Sequence, residues 1–168
     1  MLLTALIFFL ASAAGTNDLT ARSTDSSVSV TVATDNSGAT TTYRYMVTHR
    51  APGGLAHVAI GLSPGAGEPE LSVKPVGWDL KDNTCPASVA APKGWRGCVG
   101  LQEESDLHWI DVDTEDPKFF LQPGSDMTIQ VTVPTKDPAY EHASFWAIGT
   151  SSSRVGKVAP GNRTGVGP

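Results

Sequence analysis

From residue 27 onward, apolar positions recur along the chain with a dominant period of two. Val28, Val30 and Val32 alternate with Ser29 and Thr31, and the turn sequence Asp35-Asn36-Ser37-Gly38 follows. A second run, Thr40 to Arg50, puts Tyr43, Tyr45 and Val47 on one face and Arg44, Met46 and Thr48 on the other. Two alternating runs around an Asn/Gly turn predict a β-hairpin. Leu55 to Leu62 is apolar on both faces, which predicts a central buried strand. Leu71 to Val76 reads as a short strand confined to an edge or an end by Pro75, because proline has no N–H to give to a ladder. Leu107 to Val112 and Ala143 to Thr150 are further strands. Met127, Ile129, Val131 and Val133 alternate with Thr128, Gln130 and Thr132, the pattern of a half-buried strand. Pro- and Gly-containing turns separate these runs, and neither a helical period nor an internal repeat occurs. About seven or eight short strands of this kind predict an all-β protein, two antiparallel sheets packed as a sandwich, with a barrel or jelly roll as the alternative.

The ends of the chain add a compartment. Leu2 to Leu10 is an apolar run too short to span a bilayer, and the small residues Ala11-Ser12-Ala13-Ala14 follow it. This is the context of a secretory signal peptide, residues 1–14. Residues 15–26 are a polar, flexible leader, 27–151 the β-sandwich domain and 152–168 a Gly/Pro-rich tail. The expected product is secreted, extracellular or held at the cell surface, with no membrane insertion after signal removal. Asn162-Arg163-Thr164 is a glycosylation sequon in the tail, which would make the product a glycoprotein. The formal net charge of -5 argues against nucleic acid and against anionic membrane surfaces, which both require concentrated basic residues.

The two cysteines, Cys85 and Cys98, read as one disulfide in an exported chain. Closing a loop of that length stabilises by about 3 kcal/mol on the chain-entropy model. The enclosed segment is Pro-, Ala- and Gly-rich and is expected to carry little secondary structure.

Candidate chemistry is sparse. No histidine lies in an H-E-x-x-H spacing and no G-x-S-x-G elbow occurs, so no catalytic residue is assigned and the protein is read as non-enzymatic. Ala51–Gly54 reads as a turn across which His49 and His57 can face each other as a cross-strand pair, although two imidazoles alone leave a metal site incomplete. Asp111, Asp113, Glu115 and Asp116 place carboxylates at nearly alternate positions, as calcium loops do. Calcium is the only cofactor this pattern suggests, and a solvated acidic loop is the simpler account. Of the four tryptophans, Trp109 and Trp146 lie within predicted strands and are read as core residues. Trp78 and Trp95 flank the disulfide loop beside Asp79 and Arg96, each preceded by a glycine. A tryptophan held on such a loop offers a large contact surface at low entropic cost, for a sugar ring or a partner protein.

The motifs Tyr43-Arg44-Tyr45-Met46-Val47-Thr48, Ala56-His57-Val58, Gly77-Trp78, Trp109-Ile110 and Leu121-Gln122-Pro123-Gly124 occur in that order over residues 40–150. This order resembles a group of small secreted and cell-surface Ig-like domains of fungi and bacteria. The resemblance implies an Ig-like sandwich and a non-catalytic surface or matrix module. Its expected work is adhesion, structural assembly or host interaction, with a glycan or a protein as partner. The alternatives are a carbohydrate-binding module built on the loop tryptophans and a secreted enzyme with an unrecognised site. Exposed edge strands would also permit self-association.

Overall fold

The computed structural model describes residues 27–62, 71–78, 85–102, 107–150 and 153–160. The expected signal peptide and leader, Asp79 and the Asn162 sequon lie outside these residues. Among the described residues there are ten strands: β1 (Val28–Asn36), β2 (Thr41–His49), β3 (Leu55–Gly61), β4 (Val89–Ala90), β5 (Arg96–Gln102), β6 (Leu107–Asp113), β7 (Asp126–Val133), β8 (Ser144–Gly149), β9 (Ser153–Lys157) and β10 (Ala159–Pro160). They form two five-stranded sheets, β10-β1-β2-β7-β4 and β5-β6-β3-β8-β9. Every pairing is antiparallel except the two-residue contact of β1 with β10. The protein is thus the all-β, disulfide-bonded sandwich that the alternation predicts.

The register follows from which side chains must leave water. In the β1–β2 hairpin Val30 pairs with Val47 and Val32 with Tyr45. β7 continues the same face, with Ile129 opposite Tyr45 and Val131 opposite Tyr43. These residues meet Val58, Ile60, Val99, Ile110, Val112, Phe145 and Ala147 of the other sheet in one buried cluster. A one-residue slip of any of these strands would turn its apolar set toward solvent, so burial fixes the pairing.

The chain between β3 and β4 departs from expectation. Residues 71–76 do not form a strand. Their polar groups are met by side chains instead. The buried Asp137 carboxylate accepts from the backbone N–H of Ser72 at 2.7 Å and of Val73 at 2.8 Å, and from Ala139 N–H at 2.9 Å. Three tyrosines complete the lock. Tyr43 Oη donates to the Asp137 carbonyl and accepts from its N–H, both at 2.7 Å. Tyr45 Oη donates to the Tyr140 carbonyl at 2.8 Å, and Tyr140 Oη to the Val73 carbonyl at 2.9 Å. The Tyr43 and Tyr140 rings stack with centroids 4.7 Å apart. Burial pushes the Tyr43 phenol up to about 12 and raises those of Tyr45 and Tyr140 as well. A phenolate in this interior would lack the solvation that water provides.

Three further expectations need correction. The disulfide Cys85–Cys98 is formed, but its second cysteine stands within a full strand, β5. Gly97 and Gly100 hid this strand, because interior glycines weaken a strand pattern. Gly97 is required there: a Cβ would stand 2.7 Å from the Val89 carbonyl oxygen. Strand pairing also continues past Ser151, through β9 and β10, where a tail was expected. The few apolar residues of these strands conceal them, although Val158 between them is buried. Finally, β2 and β3 belong to different sheets, so residues 51–54 are a crossover and not a hairpin turn. His49 points inward, 1% exposed, with Nε2 donating to the Gly53 carbonyl at 2.7 Å and Nδ1 unpaired. His57 lies on the outside of the other sheet, so the two imidazoles do not meet.

Candidate functional site

The outer face of the second sheet is assembled by the same alternation that builds the core. In β3, Val58 and Ile60 are buried in the core, so His57, Ala59 and Gly61 face outward. In β6, Ile110 and Val112 are buried in the core, so Trp109, Asp111 and Asp113 face outward. In β8, Phe145 and Ala147 are buried in the core and Trp146 faces outward, 41% exposed. Register then sets the neighbours. Gly61 lies between Trp109 and Ser144, Ala59 between Asp111 and Trp146, and His57 between Asp113 and Ile148. On the far side of β6, Gly100, Cys98 and Arg96 stand opposite Trp109, Asp111 and Asp113.

The result is a concave surface with a small-residue floor. Ala59, Gly100, Trp109, Trp146 and the Cys85–Cys98 disulfide are among the residues lining a cavity of about 510 Å³. That volume lies within the range of small-molecule sites. The floor is small for a reason: a Cβ on Gly61 would come within 3.2 Å of the Trp109 ring and 2.8 Å of Ser144 Oγ. Trp109 therefore lies over Gly61. The Trp109 and Trp146 rings meet across β3, centroids 6.5 Å apart and planes inclined by 51°, within the distance range of favourable aromatic pairs.

Two ion pairs border the aromatic surface. His57 Nε2 is hydrogen-bonded to Asp111 Oδ1. Arg96 holds Asp113 in a two-pronged contact, Nε to Oδ1 at 3.1 Å and Nη2 to Oδ2 at 2.6 Å. The hydrogen bond to Asp111 raises the His57 pKa; partial burial opposes this, and the Asp111 and Asp113 charges add to the rise. All four groups are partly open to solvent. Together they present donors and acceptors along one side of the tryptophans.

The residues expected to carry function are distributed differently. Trp95 is half-buried against the core, and its indole N–H donates to the Phe119 carbonyl at 2.8 Å. The preceding Gly94 has φ +85°, and a Cβ there would stand 2.3 Å from the Phe119 ring. Gly94 thus admits Phe119 and does not open the Trp95 ring to a ligand. Trp78 is half-buried against the core, with the Lys74 ammonium 5.2 Å from its ring centroid. Neither tryptophan lines the larger cavity. Trp95 and Arg96 border a smaller one of about 320 Å³ with Asp113, Thr114 and Glu115. The tryptophans assigned to the core, Trp109 and Trp146, are instead the ones on the outer face.

The acidic residues proposed for calcium are also engaged elsewhere. Asp111 is held by His57 and Asp113 by Arg96. Asp116 caps the short 3₁₀ turn 117–119 and pairs with Lys118, whose hydrogen bonds hold its carboxyl below the usual range. Glu115 is exposed. Among the described residues no three His, Cys, Asp or Glu side chains are grouped to hold a metal ion. No described helix is long and apolar enough to cross a membrane.

The outer-face set could have been found in the sequence. Trp109, Asp111 and Asp113 share one parity against Ile110 and Val112, and Trp146 opposes Phe145 and Ala147. No protein-family model, curated protein or solved structure matches the chain.

Proposed function

We propose that this protein is a secreted, non-enzymatic β-sandwich that binds glycan at a cell surface or in an extracellular matrix, using the outer face of its second sheet. The observation that carries this reading is the pairing of Trp109 and Trp146 above a floor of Ala59 and Gly61, beside His57–Asp111. Sugar rings have apolar C–H faces that stack on indoles. They also have hydroxyls that each donate and accept, and the ion pairs offer carboxylates to receive and nitrogens to give. The disulfide supports an extracellular setting. The likeness to secreted Ig-like domains points to the same kind of module.

One observation favours a hydrolytic alternative, the His57–Asp111 pair inside a cavity. Glycoside hydrolysis uses a pair of carboxylates, however, and among the described residues lining that cavity Asp111 is the single carboxylate; no serine or threonine lines it, and both cysteines are in the disulfide. A binding role is therefore the better account. The test is a glycan array with purified protein, followed by affinity measurement on the hits. Binding that weakens about tenfold or more in Trp146→Ala, the size of an aromatic hot spot, is expected without turnover of the bound glycan. A blank array, or hydrolysis lost in Asp111→Asn, would contradict the proposal.

A further inference from the structure

The geometry points to one class of glycan: we infer that the site takes a single soluble chain whose successive sugar rings are inclined to one another, and not the flat face of a crystalline polysaccharide. This inference rests on the glycan-binding reading above.

The shape of the aromatic surface selects the class of chain. Trp109 projects from β6 and Trp146 from β8, on either side of β3. Their planes are inclined by 51°. A sugar ring removes the most apolar area from water when its C–H face lies nearly parallel to the indole. A crystalline surface presents many sugar rings in one plane, so it could satisfy one of these indoles but not both. A free chain can turn between one sugar and the next, so two consecutive rings can follow the bend.

Two features hold the bend in place. Gly61 lets Trp109 settle onto β3, since a Cβ there would meet its ring at 3.2 Å. The centroid separation of 6.5 Å keeps the two indoles in mutual contact, so they brace each other. The surroundings also suit a chain that enters a recess. Arg96 and the Cys85–Cys98 disulfide stand on the β5 side of the cavity, and a rigid crystal face cannot follow a concave floor. The His57–Asp111 pair then lies where hydroxyls on the chain's edge would meet a donor and an acceptor.

The experiment uses the mature protein and its Trp146→Ala variant, with circular dichroism to confirm that both are folded. Trp146 is exposed, so its removal leaves no core cavity. Each protein is tested by affinity electrophoresis through soluble β-glucans, α-glucans and glycol-chitin, and by pelleting with crystalline cellulose and crystalline chitin. The expected result is retardation by at least one soluble polysaccharide, reduced tenfold or more in Trp146→Ala, with no pelleting on either crystal. Trp146-dependent pelleting on a crystalline polymer would overturn the inference and leave glycan binding standing. Absence of binding to soluble and crystalline polymers alike would overturn the glycan reading itself. Soluble binding that is unchanged in Trp146→Ala would remove this face as the site.

Discussion

The two outer faces of the sandwich arise from one alternation rule, yet they are chemically unlike. On the first sheet, Ser29, Thr31, Thr42, Arg44, Met46, Thr48, Thr128 and Gln130 face water. They are mostly short and hydroxylated, and Arg44–Asp35 is an exposed ion pair of small energetic weight. On the second sheet, the same parity presents two tryptophans, two ion pairs and a floor of glycine and alanine. A solvated β-face needs only polar side chains to stay soluble. Exposed tryptophan, half-buried histidine and small residues beneath them serve no such need, which is why the proposed site is placed on the second face. The first sheet does its work from beneath, through the tyrosines that lock the 71–78 segment and the β7–β8 connection.

This division predicts a double dissociation between stability and binding. The largest effect is expected under the first sheet. Asp137→Ala removes the acceptor of three backbone N–H groups and should lower unfolding free energy by about 3 kcal/mol, read by urea denaturation. Glycan affinity of the folded fraction should be unchanged. On the second sheet the order reverses. Trp146→Ala should weaken binding about tenfold or more while stability falls by no more than about 1.5 kcal/mol, the upper worth of an aromatic pair. Met46→Ala, the exposed apolar residue of the first outer face, should alter neither. Equal loss of binding in the Met46 and Trp146 variants would erase the distinction between the faces.

Two pH effects sharpen it further. The Tyr43 phenol is raised from 10.0 to about 12 in the folded protein. The folded state therefore holds this proton more tightly, so the stabilisation is complete below pH 10 and is lost as pH rises toward 12. Denaturant midpoints should fall over that window, and Tyr43→Phe should reduce the fall, the remainder belonging to Tyr45 and Tyr140, whose phenols are raised as well. The smallest effect belongs to the second face. His57 has a raised pKa, so its contribution is complete below the ordinary value of about 6.5 and fades as pH rises through its folded pKa. An NMR titration of the imidazole should show a midpoint above the ordinary value, moved down by Asp111→Asn. A midpoint unaffected by that substitution would separate His57 from Asp111.

Much of the fold was legible because burial on one face leaves a period of two. The β1–β2 hairpin, the central β3 and the β7 strand all carry it. β5 was not legible, since Gly97 and Gly100 weaken the strand pattern and the close approach of Val89 to Gly97 is visible only in the tertiary structure. β9 and β10 were not either, because pairing with β8 and β1 replaces the apolar content that a strand pattern needs. The site was half legible. Parity alone puts Trp109, Asp111 and Asp113 on one side of β6 and Trp146 on the outward side of β8. What parity cannot give is register: only the pairing of β3 with both β6 and β8 brings His57 to Asp111 and Trp109 to Trp146. Trp95 misled for a local reason, because the glycine before it makes room for Phe119 and not for a ligand.

The outer face of the second sheet is the proposed ligand face. The most direct measurement is an amide chemical-shift map of the mature protein during titration with a soluble oligosaccharide taken from the array hits. Perturbations are expected at His57, Ala59, Gly61, Trp109 and Trp146, with Thr31, Met46 and Thr128 unmoved. Perturbations centred on Trp78 and Trp95, or on the first sheet, would contradict it.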